Sequence, residues 1–262
     1  MQIRLFNGWV VRPWLAIGIF LLSAISSWLL ADDGSPSGVL APAPQKVGEK
    51  VPSEDDIIKD LHSLGLIEGH TNIFRSASPV RDLLNESGKS DPDALAEAKK
   101  RMQHLHDLGI RTIISFENPD AADTGDDGKA TARKSRVALE KAAATEVGLK
   151  YLSHPIANSG KNSLEDMTDA NVCQLLDPIS QEILNRAKDG GVLFHCSAGH
   201  DRSGIMAAYM RMKYQHWPVE QAIDEMRRYG HNWPKFSPNG GESSWHEEHL
   251  KAIEKMLRQP SP

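Results

Sequence analysis

From residue 90 onward the chain alternates between two hydrophobic periods. Ser90-Asp91-Pro92 opens a helix with proline in the first turn, its apolar stripe runs Leu95, Met102, Leu105 and Leu108, and Gly109 closes it. Arg111 to Phe116 reads as a strand with Ile113 and Ile114 buried. Residues 117–129, rich in aspartate, predict a mobile loop. Ala130 to Val147 is a second helix stopped by Gly148, and Leu149 to His154 a strand ending at Pro155. A third helix, Thr168 to Lys188, is closed by Gly190-Gly191 and followed by the short apolar strand Gly191 to Phe194. Helices are predicted over 203–216, over 219–229 after Pro218, and over 244–258. Strands alternating with helices predict an α/β fold, a mainly parallel central sheet flanked by helices.

The first residues follow a different pattern. Trp14 to Leu30 is apolar, no charge falls between Pro13 and Ala31, and Arg4 and Arg12 precede the run while Asp32-Asp33 follow it. Such a run predicts an N-terminal hydrophobic helix long enough to span a bilayer. Leu29-Leu30-Ala31 matches the small-x-small cleavage pattern poorly, which favours a signal anchor over a cleaved signal peptide for residues 1–31. Basic residues before the run predict that the N-terminus stays in the cytoplasm and the rest is membrane-anchored or exported outside it. Residues 32–50, rich in Pro, Gly, Ser and Ala, read as a flexible tether, leaving 51–258 as the folded domain.

Composition changes little in this picture. A net charge of −5 with 25% charged residues does not suit a nucleic-acid partner. Two cysteines cannot make a disulfide framework. Cys173, in a helical apolar pattern, suits core packing, and the sharper alternative is a reversible disulfide with Cys196.

The chemistry concentrates in His195-Cys196-Ser197-Ala198-Gly199-His200-Asp201-Arg202-Ser203-Gly204, between a strand and a helix. A cysteine attacks only as its thiolate, and inward-facing backbone amides at a helix N-terminus both lower a thiol pKa and bind a phosphoryl dianion. Arg202 supplies a permanently charged planar fork for two phosphoryl oxygens. Gly199 suits a positive φ or a close approach to oxyanions. Ser203 suits a helix N-cap with its hydroxyl near the sulfur, where it can stabilise Cys196 as a leaving group, and Gly204 keeps the first helical turn slim beside the loop.

This motif resembles the signature loop of the cysteine-dependent protein tyrosine phosphatases, within them the compact dual-specificity-like group that includes bacterial members. Asn72-Ile73-Phe74-Arg75-Ser76-Ala77-Ser78-Pro79 is similar to a Tyr-Arg-Ser-x-x-Pro segment of those bacterial proteins, and Leu108 to Ser115 to their Leu-Gly-Ile-x-x-Ile-Ile-x-Leu strand. The similarity runs roughly over 65–258. It implies a phosphomonoester hydrolase with Cys196 as nucleophile, Arg202 on the phosphoryl group, and Ser203 aiding breakdown of a cysteinyl-phosphate. His195 would orient the loop and help set the thiolate pKa. Ser197, Ala198, Gly199, His200 and Asp201 would form the rest of the cradle. It implies no cofactor and no metal. The partner would be a phosphorylated protein or small phosphomonoester, with the membrane met through the N-terminal segment. His200, where many lipid- or inositol-directed relatives carry lysine, argues against a polyphosphorylated ligand.

The leaving group needs a proton donor. By distance Asp166, thirty positions before Cys196, fits best, with Glu165 and Asp169 close behind. By local pattern Asn158 stands where some relatives carry the aspartate. Ser163-x-x-Asp166 or Thr168-Asp169-Ala170 also reads as plain helix capping. Asp201 is expected to face substrate or a neighbouring amide. The alternatives to a phosphatase are a phosphate-binding module without turnover and a rhodanese-like sulfurtransferase. Tyr229 to Pro234 reads as an ordinary helix connection in preference to a loop rimming the site, and His246-Glu247-Glu248-His249, whose histidines are three apart rather than four, as a solvated helix face.

Overall fold

A computed structural model of the chain describes residues 58, 61–84, 93–119, 127–157, 163–231 and 245–258, except the side chains of 127–130 and 245. The hydrophobic run Trp14–Leu30, the tether, Asn158 and Trp233 lie outside the described residues. Among the described residues no helix is long and apolar enough to cross a membrane.

Five strands form one sheet, β1 (His62–Ser63), β2 (Ile73–Ala77), β3 (Ile110–Ser115), β4 (Lys150–Ser153) and β5 (Gly191–Cys196), in the order β1-β2-β5-β3-β4. All neighbours are parallel except β1 and β2, so the sheet is mixed. The six α-helices among the described residues are α1 (Ala94–Asp107), α2 (Asp127–Val147), α3 (Asp169–Ala187), α4 (Arg202–Gln215), α5 (Val219–Arg228) and α6 (Trp245–Leu257).

The apolar strands are buried on both faces, as a parallel sheet between helix layers requires. Ile110, Ile113 and Leu193 pack against α1 and α2 through Ala98, Met102, Leu105, Ala143 and Ala144. Ile114, Val192 and Phe194 face the other way, into a core with α3, α4, α5 and α6. The neighbours Ile113 and Ile114 therefore serve opposite layers, the consequence of a side-chain period of two. Every residue from Ser203 to Met212 is buried, which makes α4 a central helix enclosed all round.

Several expectations are corrected. β1 and β2 are strands that the hydrophobic pattern did not announce, because β2 carries the buried Arg75 in its centre. In α1 the buried stripe is Ala94, Ala98, Met102 and Leu105, whereas Leu95 and Leu108 are 37% and 38% exposed. A stripe through Met102 and Leu105 selects Ala98, four residues before Met102, and leaves Leu95 at its margin. The predicted loop 117–129 is shorter at its C-terminal end, and its first residue, outside β3, is not exposed. Glu117 is fully buried, and α2 already begins at Asp127. The face His246-Glu247-Glu248-His249 is not solvated. His246, Glu247 and His249 are buried, with Glu247 bound to the Arg227 guanidinium.

Candidate active site

Central strand β5 ends on Cys196, and the chain turns through Ser197–Asp201 into the N-terminus of α4. Ser197 and Ala198 are half-buried, and the Ser197 carbonyl accepts from the Ser78 amide at 3.2 Å. Gly199 has φ +78°, and a Cβ there would lie 2.6 Å from the Ala77 nitrogen and 2.7 Å from the Ser76 carbonyl carbon. The positive φ expected of Gly199 is present, and the close approach that requires glycine is to the end of β2.

Cys196 is buried, with its Sγ 3.3 Å from the Ser203 Oγ. Burial pushes the thiol up, but the Arg202 charge, the Ser203 hydroxyl and the amides of Ser203 and Gly199 outweigh it. The thiol is held below its ordinary range, so the nucleophilic form is favoured. Ser203 is the second residue of α4 rather than its N-cap; Asp201 holds the cap position without a side-chain cap bond. Gly204 is slim on the side of α5, where an added Cβ would meet Met226 Cε at 3.2 Å.

Arg202 opens α4, and its Nη1 donates to the carbonyls of Phe116 at 3.0 Å and Ile156 at 3.3 Å. These carbonyls follow β3 and β4, so the sheet aims the guanidinium. Its Nε is buried without a hydrogen-bond partner among the described residues, a donor suited to an oxyanion.

The other loop residues have distinct surroundings. The Asp201 carboxylate accepts from His231 Nδ1 at 2.8 Å. Burial would raise its pKa, but the His231 hydrogen bond, with the neighbouring histidines behind it, holds it below the usual carboxylate range. Asp201 therefore turns to a histidine rather than to a backbone amide. The His200 ring lies on Gly230, where an added Cβ would come within 2.8 Å of it. The segment after α5 is thus more than a connection, since it touches two loop residues. Arg75 Nη2 donates to the Gly199 carbonyl at 3.1 Å, and its guanidinium carbon sits 4.8 Å from the Tyr229 ring centroid. It braces the back of the loop.

The candidate proton donors lie on one stretch. Leu164 N donates to Ala157 O at 2.9 Å, and Asp166 N to Ser163 O at 3.1 Å, which makes a turn just before α3. Glu165 and Asp166 are exposed on that turn. Asp169 instead faces His249 Nδ1 at 2.6 Å, while His249 Nε2 donates to the Leu164 carbonyl at 2.8 Å. Thr168 is the cap of α3, accepting from Asn171 N at 3.3 Å, so Ser163-x-x-Asp166 is not the capping motif. Cys173 is half-buried against Tyr209, its Sγ 3.7 Å from the hydroxyl, and both cysteines are free.

Beneath the loop, sequence reasoning named His195 but missed Glu117, Arg136 and Glu140 packed around it. His195 is fully buried, its Nδ1 3.4 Å from the Cys196 carbonyl and its Nε2 2.7 Å from Glu140 Oε1. Beside them Glu117 receives Arg136 in a two-pronged ion pair with contacts of 2.5 to 3.0 Å. One signal was present. Ala132, Arg136, Glu140 and Ala144 recur every four residues, which puts two charges on the buried stripe of α2.

The chain matches the family model of the tyrosine phosphatase family over residues 92–213. It is 36% identical over 62 residues to the dual specificity protein phosphatase TpbA of Pseudomonas aeruginosa strain UCBPP-PA14, which covers 24% of this chain and 27% of that relative. It is 34% identical over 82 residues to the MAP kinase phosphatase with leucine-rich repeats protein 3 of Dictyostelium discoideum, covering 30% of this chain and 9% of that one. Among solved structures, P. aeruginosa TpbA aligns with 19% identity and a TM-score of 0.44 over 79% of this chain and 97% of that chain. The chain thus spans about a quarter of the length of the TpbA sequence it matches at 36% identity.

Proposed function

We propose that the chain is a cysteine-based phosphatase of the tyrosine phosphatase superfamily, a metal-independent phosphomonoester hydrolase of the protein tyrosine/dual-specificity type whose loop carries the nucleophile. The observation that carries this reading is the Cys196 thiol, held low by Arg202 and Ser203 at the head of α4. Its Sγ attacks phosphorus, the bond to the leaving oxygen breaks, and Asp166 gives that oxygen a proton. Arg202 and the amides from Ser197 to Arg202 hold the phosphoryl oxygens through the transition state. Water then attacks the cysteinyl-phosphate, Asp166 accepts its proton, and Sγ leaves as a thiolate supported by the Ser203 hydroxyl.

Asp166 is favoured as the donor because Asp169 is already engaged by His249, and the turn carrying Asp166 is bonded through Leu164 to Ala157, next to Ile156, whose carbonyl holds Arg202. The substrate class is phosphorylated protein, in keeping with the dual-specificity relatives. Phosphate release by the full chain from para-nitrophenyl phosphate and from phosphopeptides tests the reading. The wild type should turn over and Cys196→Ser should bind phosphopeptide without turnover. Equal inactivity of the two, or thiocyanate formation in place of phosphate release, would overturn it.

The N-terminal run is proposed as a membrane anchor, on the charge-free stretch from Pro13 to Ala31 and the arginines before it. Extraction of the full chain from membranes by detergent but not by alkaline carbonate supports the anchor; recovery in the carbonate supernatant overturns it.

A further inference from the structure

Beneath the nucleophile loop lies a closed electrostatic layer contributed by three elements. Its members are His195 at the end of β5, Glu117 just after β3, and Arg136 and Glu140 one helical turn apart on α2. Glu117, Glu140 and His195 bring ligand atoms within 4.8 Å of one another, the geometry of a metal site. The charge balance points elsewhere. Arg136 already covers both oxygens of Glu117, so the cation beside that carboxylate is part of the protein. What remains is Glu140 and His195.

The ring of His195 bridges two partners. Nδ1 faces the Cys196 carbonyl at 3.4 Å, which can only accept, so Nδ1 carries a hydrogen. Nε2 faces Glu140 Oε1 at 2.7 Å. At that distance the two form an ion pair when the ring is an imidazolium, one residue from the sulfur, and both are buried, where charge interactions are weakly screened. We propose that Glu140 is a positioning residue for Cys196, which holds His195 as an imidazolium aimed at the Cys196 carbonyl and thereby deepens the acidity of the thiol.

The other charged and titratable groups around the pair are Glu117 and Arg136, which neutralise each other, Tyr151 on β4, and Cys196, with Arg202 acting on Glu117 and Cys196. Burial alone would keep His195 neutral, and the Glu140 carboxylate overcomes it, raising the imidazole above its ordinary value. Burial pushes the Glu140 carboxyl up and the His195 charge beside it works against that; with the pair charged, the positive member is the one that adjoins Cys196 and faces its carbonyl. Replacing the carboxylate by an amide leaves a neutral ring and a weaker anion site. The proposal rests on Cys196 being the nucleophile, but its test does not require turnover.

The test is the pH dependence of Cys196 alkylation by iodoacetamide in the full chain, with Cys173→Ser as background so that one thiol is read. Glu140→Gln should move the midpoint up by about one pH unit, about a tenfold slower alkylation at a pH below both midpoints. His195→Asn should do the same, and Glu140→Gln added to His195→Asn should do nothing further. Glu146→Gln, an exposed acid on the same helix, should leave the profile unchanged. An unmoved midpoint in folded Glu140→Gln, or additive shifts in the double variant, overturns the proposal. Should Glu140→Gln not fold, nitrogen NMR of the wild-type His195 ring decides. Imidazolium shifts at pH 7 are expected, and a neutral tautomer there overturns it. Loss of phosphatase activity with the expected thiol titration would sink the hydrolase reading and leave this one standing.

Discussion

The Ser203 hydroxyl oxygen lies 3.3 Å from the Cys196 sulfur, the two being joined across the first turn of α4. The hydroxyl supports the sulfur twice, as an attacking thiolate and again as a leaving group. A hydrogen bond to a charged group is worth about 1.5–3 kcal/mol, so Ser203→Ala should slow hydrolysis of the cysteinyl-phosphate by about 10- to 100-fold. Stopped-flow assays with para-nitrophenyl phosphate should then show a burst of nitrophenol followed by a slow steady state. A slowed burst with no change in the later phase would mean that Ser203 serves attack alone.

Arg75 carries its charge wholly inside the protein, where burial works against ionisation and lowers its pKa. Its Nη2 bond to the Gly199 carbonyl holds the loop from behind. Arg75→Leu removes a costly buried charge along with the brace, so stability should change little. The loop should lose its alignment, with kcat/KM falling about tenfold for the loss of about 1.4 kcal/mol of positioning. Unchanged kinetics in a folded Arg75→Leu would contradict the bracing role.

If Asp166 donates the proton, Asp166→Asn should cost about 10²- to 10⁴-fold on phenyl phosphate, whose leaving group needs protonation. The loss should be far smaller with a more acidic phenol, and the basic limb of the pH–rate profile should vanish. His249 ties the turn carrying Asp166 to α3 through Leu164 and Asp169. His249→Ala should reproduce part of the loss, and only for the poor leaving group. A loss equal for both phenols would remove Asp166 from the donor role.

His246 predicts a pH effect on stability. Burial first, and the charge of His231 second, keep its imidazole well below its ordinary value, so the folded protein holds it neutral. The unfolded chain takes up a proton as pH falls through about 6.5, and the folded one does not. Stability from this group is therefore lost as pH falls, by about 1.4 kcal/mol per unit below that value. Urea unfolding at pH 7.5 and 5.5 should show a smaller loss for His246→Leu than for wild type. Equal losses would contradict the assignment.

Much of this site was legible in the sequence because its chemistry is local. The positions from Cys196 to Ser203 are contiguous, so spacing alone placed nucleophile, cradle and clamp at the end of the strand that proves central. The alternation of Ile113 and Ile114 with helical stripes was likewise enough for the layered α/β order. What escaped is what the fold assembles from distant segments. Glu117 looked like part of a loop and Glu140 like one charge among many on a helix, and only the packing of α2 brings both under His195. β2 was hidden for the related reason that a buried arginine breaks the apolar pattern of the strand it serves. The histidines of α6 looked solvated because their partners, Asp169 and His231, lie 80 and 15 residues away in sequence.

A covalent phosphoryl-enzyme on Cys196 is the species on which the mechanism turns, and a denaturing quench of the full chain in SDS after milliseconds with phosphorus-32-labelled phosphotyrosine peptide detects it. Alkali-stable, iodine-labile label is expected on the peptide containing Cys196, more of it in Ser203→Ala than in wild type, and none in Cys196→Ser. Undiminished phosphate release by Cys196→Ser, or turnover with no label at Cys196 in either active form, would contradict it.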